Sequence, residues 1–113
     1  MQPDSWSAVE TEIDRIIKGR MEQPFDESTI ANVREFVSFA RDNCPVPEVG
    51  KGYWSTICFS WNTIPPLEVE VFGSRFEIYR FYDERTDIRE VKHAPGGPFP
   101  QELAAELPSR HSN

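Results

Sequence analysis

Apolar residues recur at helical spacing through the first forty or so positions and then switch to alternation, so the chain divides where the period changes. Trp6, Val9, Ile13, Ile16 and Ile17 fall on one side of a helical wheel, with Glu10, Glu12, Asp14 and Lys18 elsewhere. This predicts an amphipathic helix. Asp4 or Ser5 can cap it, or Ser7 with Glu10 as a capping box, and Gly19 and Pro24 bracket its end. A second helix starts at Asp26 as N-cap, with Phe25 placed to pack on Ile30. Its buried stripe is Ile30, Val33, Phe36, Val37 and Ala40, widened by Phe39. Pro45 and Pro47 stop it near Asn43, and "CPVPEVGKG" reads as a connecting loop.

"YWSTICFSWN" has Ile57, Phe59 and Trp61 on one side and Thr56, Cys58 and Ser60 on the other, the period of a half-buried strand. "TIPP" interrupts it, and a second strand follows from Leu67 to Phe72. Gly73 and Ser74 suit a two-residue hairpin turn, with the glycine expected at positive φ. The third strand runs from Arg75 to Tyr82, "DERT" turns, and "DIREVKH" is a shorter fourth strand. In the C-terminal stretch, "APGGPFP" breaks structure and only "QELAAEL" has helical composition. The pattern predicts one α+β domain over residues 1–113: a helical pair (1–43) on one face of a four-stranded antiparallel meander (53–92), then a Pro/Gly-rich segment with a short helical turn (93–113). The order resembles small uncharacterised bacterial α+β proteins in which two helices precede a meander with a Trp-ended first strand and a "LEVEV"-like second. That likeness covers Trp54 to Tyr82 and implies a fold without a function.

If Leu67, Val69, Val71, Phe76 and Ile78 face the core, then Glu68, Glu70, Phe72, Arg75, Glu77, Tyr79 and Phe81 face outward. The two-residue turn sets Glu70 opposite Glu77, a repulsion that Arg75 relieves in part. An aromatic patch rimmed by acids is a surface built to be covered. The C-terminal segment with Phe99, Leu103 and Leu107 is one cover, a second copy or another protein is another, and a small ligand is the third. Arg80 falls in the inward register and needs an acid, for which Asp14 and Glu35 are the candidates unless the sheet passes beyond the helices there.

Charge changes the picture of partners. Nineteen acids against 12 bases give a net charge of −7 and a pI near 4.8, which argues against direct nucleic-acid or anionic membrane binding and favours basic partners. Cys44 and Cys58 have no C-x-x-C spacing and are expected as free thiols, the alternative being a bond between them. With no secretory pattern at the start and no long apolar run, a cytoplasmic protein is expected. His93 and His111 lack ligand neighbours and read as solvated loop and tail histidines. Gly50-Lys51-Gly52 lacks the rest of a phosphate loop. No metal or cofactor is expected, and no motif marks a nucleophile.

These readings converge on a noncatalytic acidic protein-binding module of inhibitor, immunity, antitoxin or accessory type. Glu68, Glu70 and Glu77 would steer a basic protein, and Phe72, Tyr79 and Phe81 would anchor it. A small-ligand site or enzyme pocket between helices and sheet, near Tyr53, Trp54, Trp61 and Arg80, is the alternative. A structural homodimer through the hairpin face or an edge strand is the third reading.

Overall fold

The computed structural model describes residues 4–19 and 23–110; His111 lies outside them. Helices α1 (Trp6–Ile17) and α2 (Glu27–Asn43) precede the sheet, and a short α3 (Gln101–Ala104) follows it. Ser5 is the N-cap of α1: its side chain accepts a hydrogen bond from the Ala8 N–H at 3.1 Å. Asp26 occupies the N-cap of α2 with extended backbone, but its carboxylate makes no capping bond. The last turn of α2 closes through the Cys44 N–H to the Ala40 carbonyl at 2.7 Å, just before Pro45.

Five strands form one antiparallel meander, β1 (Glu48–Lys51), β2 (Ile57–Trp61), β3 (Leu67–Val71), β4 (Arg75–Phe81) and β5 (Thr86–Lys92), in that spatial order. The four-stranded expectation is corrected by β1, which lies in the stretch read as a connecting loop and pairs Val49 with Phe59 and Lys51 with Ile57. Four residues, one of them glycine, show too little alternation to declare a strand; the open edge of β2 makes it one. β5 has the seven residues expected, displaced by one position, and equals β4 in length because β4 ends at Phe81. The β3–β4 turn does fall on Gly73 and Ser74, closed by the Phe72 N–H to the Arg75 carbonyl at 2.9 Å. Gly73 does not adopt the positive φ expected of it. Its smallness serves a close approach instead, since a Cβ there would lie 2.4 Å from Ser28 Oγ at the start of α2.

The inward residues of β2 to β4, with Val91 of β5, form the core under the helices. Phe36 of α2 is its hub: its ring lies 4.6 Å from Phe59, 5.9 Å from Phe76, 6.3 Å from Phe99 and 6.4 Å from Trp61, centroid to centroid. Trp6 and Trp61 bury their rings while their indole N–H groups donate to the carbonyls of Cys44 (3.3 Å) and Pro45 (2.9 Å). These two bonds tie α1 and β2 to the end of α2. The stripe of α2 is rotated from the one expected: Ile30 is only half-buried, whereas Thr29 and Asn32 are buried. The Asn32 amide donates to the Phe72 carbonyl at 2.8 Å and so holds the β3–β4 hairpin to the helix.

The C-terminal segment joins the helix side of the sheet. Leu103 is fully buried, and Phe99 stacks on Phe39 at 4.2 Å with planes 7° apart. It therefore does not cover the outer face. Arg80 finds neither Asp14, which pairs with Arg34 at 2.6 Å, nor Glu35. Its partner is Glu106, reached by the Arg80 Nε at 3.1 Å, with Arg89 Nη1 on the other carboxylate oxygen at 2.9 Å. Glu35 instead meets His93 at 3.1 Å and accepts the Gly96 N–H at 2.6 Å. The reading of His93 as a solvated loop residue is thus overturned: its side chain is 6% exposed and stacks on Phe76. Sequence order does not show that residues 94–99 turn back over α2, and that turn is what buries the ring.

Two outcomes follow from this packing. Phe36→Ala removes the ring that four others share and should cost about 3–5 kcal/mol, read by urea unfolding. The Arg80 hydrogen bond, and the charges of Arg80 and Arg89, hold the Glu106 carboxyl below its ordinary value of 4.5. A depressed acid stabilises the fold above its unfolded value and ceases to do so as pH falls through the folded one. The stability gap between wild type and Glu106→Gln should therefore be present at neutral pH and shrink below pH 4.5, measured by urea titrations across the acid range.

Candidate functional site

Register builds the outer face. Across β2, β3 and β4, Ser60, Glu68 and Tyr79 form one row, and Cys58, Glu70 and Glu77 the next. β5 extends these rows with Ile88 and Glu90. Three carboxylates, Glu70, Glu77 and Glu90, thus stand on adjacent strands, a placement that costs energy unless it is compensated. Arg75 compensates one end, lying 3.0 Å from Glu77 and 3.6 Å from Glu90.

Glu70 is handled differently. It is 7% exposed, and its oxygens are bound by hydroxyl groups: Thr56 donates to Oε2 at 2.5 Å, and the Tyr79 hydroxyl lies 3.3 Å from Oε1. The same phenol donates its proton to Glu77 at 2.5 Å, so Tyr79 stands between two carboxylates with one proton for both. Burial, then its bonds and proximity to Glu77 and Glu70, push the phenol far above its ordinary range. No Lys or Arg lies within ion-pair distance of Glu68 or Glu70 among the described residues. Burial raises the Glu68 carboxyl, with Ser60 opposing and Glu70 adding to the rise. Burial also lifts the Cys58 thiol to about 12, aided by Glu68 and Glu70, so at neutral pH it is no thiolate nucleophile.

These groups line a depression of about 630 Å³ that runs from Glu48 past Cys58, Glu68 and Glu70 to Tyr79 and Phe81. The β1–β2 loop forms its rim. Lys51 Nζ donates to the Trp54 carbonyl at 3.0 Å, and the Gly52 N–H reaches the Thr56 carbonyl at 2.9 Å, which brings Thr56 over Glu70. Only glycine fits at 52, because a Cβ would lie 2.0 Å from Thr56 Oγ1 and 2.5 Å from Glu70 Oε2. Nothing in the sequence announces this Gly52–Thr56–Glu70 contact, since a loop was expected where its first part lies.

Of the residues expected to bind a partner, Glu68, Glu70, Tyr79 and Phe81 share the depression, with Glu77 beside it. Tyr79 and Phe81 stack at 6.3 Å. Phe72 stands apart: its ring lies under the Arg75 guanidinium at 3.8 Å, in a second cleft with Trp54 near the start of α2. The four residues expected around a pocket between helices and sheet do not converge. Tyr53 lines the acidic depression, Trp54 the second cleft, Trp61 a hollow beside Asn62 and Pro66, and Arg80 the margin near Glu106. Tyr53 and Trp54 do touch each other edge to face at 4.9 Å, and are 85% and 57% exposed. Cys44 and Cys58 are both free thiols.

Among the described residues no group of three or more His, Cys, Asp or Glu side chains is arranged to hold a metal ion. No helix among them is long and apolar enough to cross a membrane. The chain matches no family model, no curated protein and no solved structure.

Gly52→Ala tests how the rim is held. The added methyl displaces Thr56 from Glu70 and leaves a buried carboxylate one donor short, which should cost roughly 1–3 kcal/mol in urea unfolding. Thr56→Ala should produce a loss of similar size, and combining the two should add little further.

Proposed function

We propose that the chain is a noncatalytic binding protein whose outer sheet face receives a basic surface patch of another protein. The observation that carries this reading is that Glu68 and Glu70 stand in the outer depression held by hydroxyl groups, without a cationic partner among the described residues. Hydroxyl donors satisfy oxygen lone pairs but bring no opposite charge. An incoming Lys or Arg side chain would supply the opposite charge, at a site where partial burial weakens screening by salt. Tyr79 and Phe81 flank the carboxylates and offer aromatic surface to the aliphatic stem of that side chain. The net charge of −7 adds long-range attraction for a basic partner.

Affinity capture from native lysate checks this, with the wild type beside a Glu68→Lys, Glu77→Lys variant whose fold has been verified by circular dichroism. Glu70 is left untouched because its burial makes it part of the fold. The expected outcome is a basic protein held by the wild type, released as ionic strength rises, and bound at least tenfold more weakly by the variant. Equal capture of the same proteins by both forms would remove the outer face from the binding surface.

A further inference from the structure

The sheet has an open edge at β5, and the charges along that edge select a partner. β4 covers one side of β5, and β5 is last in the strand order. The hydrogen-bonding parity of β5 follows from the two ends of its ladder. The Tyr82 N–H donates to the Arg85 carbonyl at 2.9 Å, and the His93 N–H donates to the Ser74 carbonyl at 3.0 Å. Antiparallel pairs alternate between bonded and non-bonded, so with the observed register Asp87, Arg89 and Val91 direct their backbone groups to β4. Thr86, Ile88, Glu90 and Lys92 then direct theirs away from the sheet. In this unpaired row stands Ile88, 64% exposed, and of the strand's seven residues only Val91 is buried. Such an edge is a template for another strand.

A second copy of β5, antiparallel across a two-fold axis, meets this edge with matching parity when the axis passes through a residue pair. Three registers then keep at least five of the seven strand residues paired, centred on Ile88, Arg89 or Glu90. Centring on Arg89 sets two guanidinium groups opposite each other, and centring on Glu90 sets two carboxylates so, both destabilising. Centring on Ile88 places the two isoleucines together and sets Thr86 opposite Glu90; it also brings Asp87, which Arg85 meets at 3.0 Å, opposite Arg89 of the second copy twice over, where it adds to the bonds of Arg89 with Glu102 and Glu106. Its three bonded pairs, each exchanging two bonds, give roughly six new backbone hydrogen bonds. Every outward backbone group from Thr86 to Glu90 is then used.

We infer that the protein forms a two-fold homodimer through β5, with Ile88 on the axis and Asp87–Arg89 ion pairs across it, joining two five-stranded sheets into one of ten strands. The depressions holding Glu68 and Glu70 lie on the outer face of each half, so the dimer presents two acidic sites on one continuous sheet.

Sedimentation velocity over a concentration series, together with crosslinking, decides the matter. The wild type should pass from monomer to dimer as concentration rises. Ile88→Pro removes an outward N–H together with the isoleucine side chain, leaves the ladder to β4 in place, and should remain monomeric where the wild type is dimeric. Independently, a short bifunctional maleimide should join Ile88→Cys into a covalent dimer at least several-fold faster than Asp87→Cys or Glu90→Cys. Cys44 and Cys58 are held as thiols by burial and should contribute little background. A wild type that stays monomeric at every concentration overturns the proposal, as does a folded Ile88→Pro that still dimerises. If Ile88→Pro does not fold, crosslinking is decisive, and a maximum at any position other than 88 overturns the register. None of these outcomes depends on the capture of a basic protein, so the two proposals fail separately.

Discussion

The seating of Phe36 in the sheet is the contact on which the remaining architecture depends. One ring from α2 touches aromatic side chains of β2, β4 and the C-terminal segment. This fixes how far α2 lies along the sheet. With that position set, the start of α2 meets the β3–β4 turn so closely that residue 73 must lack a side chain, and the Asn32 amide reaches the Phe72 carbonyl. At the other end, Phe39 offers its face to Phe99, which draws residues 94–107 onto the helix side. The buried apolar side chains of the two helices and the C-terminal segment are therefore spent on one face. The other face is left to strand side chains and the β1–β2 loop.

The two faces treat charge in opposite ways. On the inner side, Arg80 and Arg89 converge on Glu106, and that carboxyl is drawn below its usual range. There each part-buried charge has an opposite charge in contact. On the outer side, Arg75 serves Glu77 and Glu90, but Glu70 meets only hydroxyl groups. The sheet thus carries a compensated margin and an uncompensated centre. The difference lies in which neighbours the register supplies: arginines at the margins of β4 and on β5, and at the centre only Cys58, Ser60, Tyr79 and more glutamate.

Much of this was legible in the sequence, for reasons that can be stated. Helical spacing in Trp6, Val9 and Ile13, and alternation in Ile57, Phe59 and Trp61, each report a face buried by secondary structure alone. The turn at Gly73 and Ser74 fixes the register that sets Glu70 opposite Glu77, so the acidic outer rows could be derived from alternation and one turn. What stayed hidden depends on tertiary return of the chain. β1 is a strand because β2 offers it an edge; His93 is buried because the Pro-Gly segment doubles back; Arg80 meets Glu106 because α3 docks beneath it. Gly73 is the turn residue its type predicts, but the position needs its smallness and not a positive φ, and steric proximity to another element leaves no mark in local sequence.

The order of the elements also bears on how the protein is made. Every strand pairs with its neighbour in sequence, so each step of sheet assembly closes only a short loop. The helices come earlier in the chain than the strands that bury them. During synthesis from the N-terminus, Trp6, Val9, Ile13, Val33 and Phe36 leave the ribosome before Phe59, Val69 and Phe76 exist to receive them. The apolar stripes must wait, exposed, for β2 to β4. Commitment to the native state therefore waits until β2 to β4 have emerged, and the interval before it is when the nascent chain needs protection from aggregation.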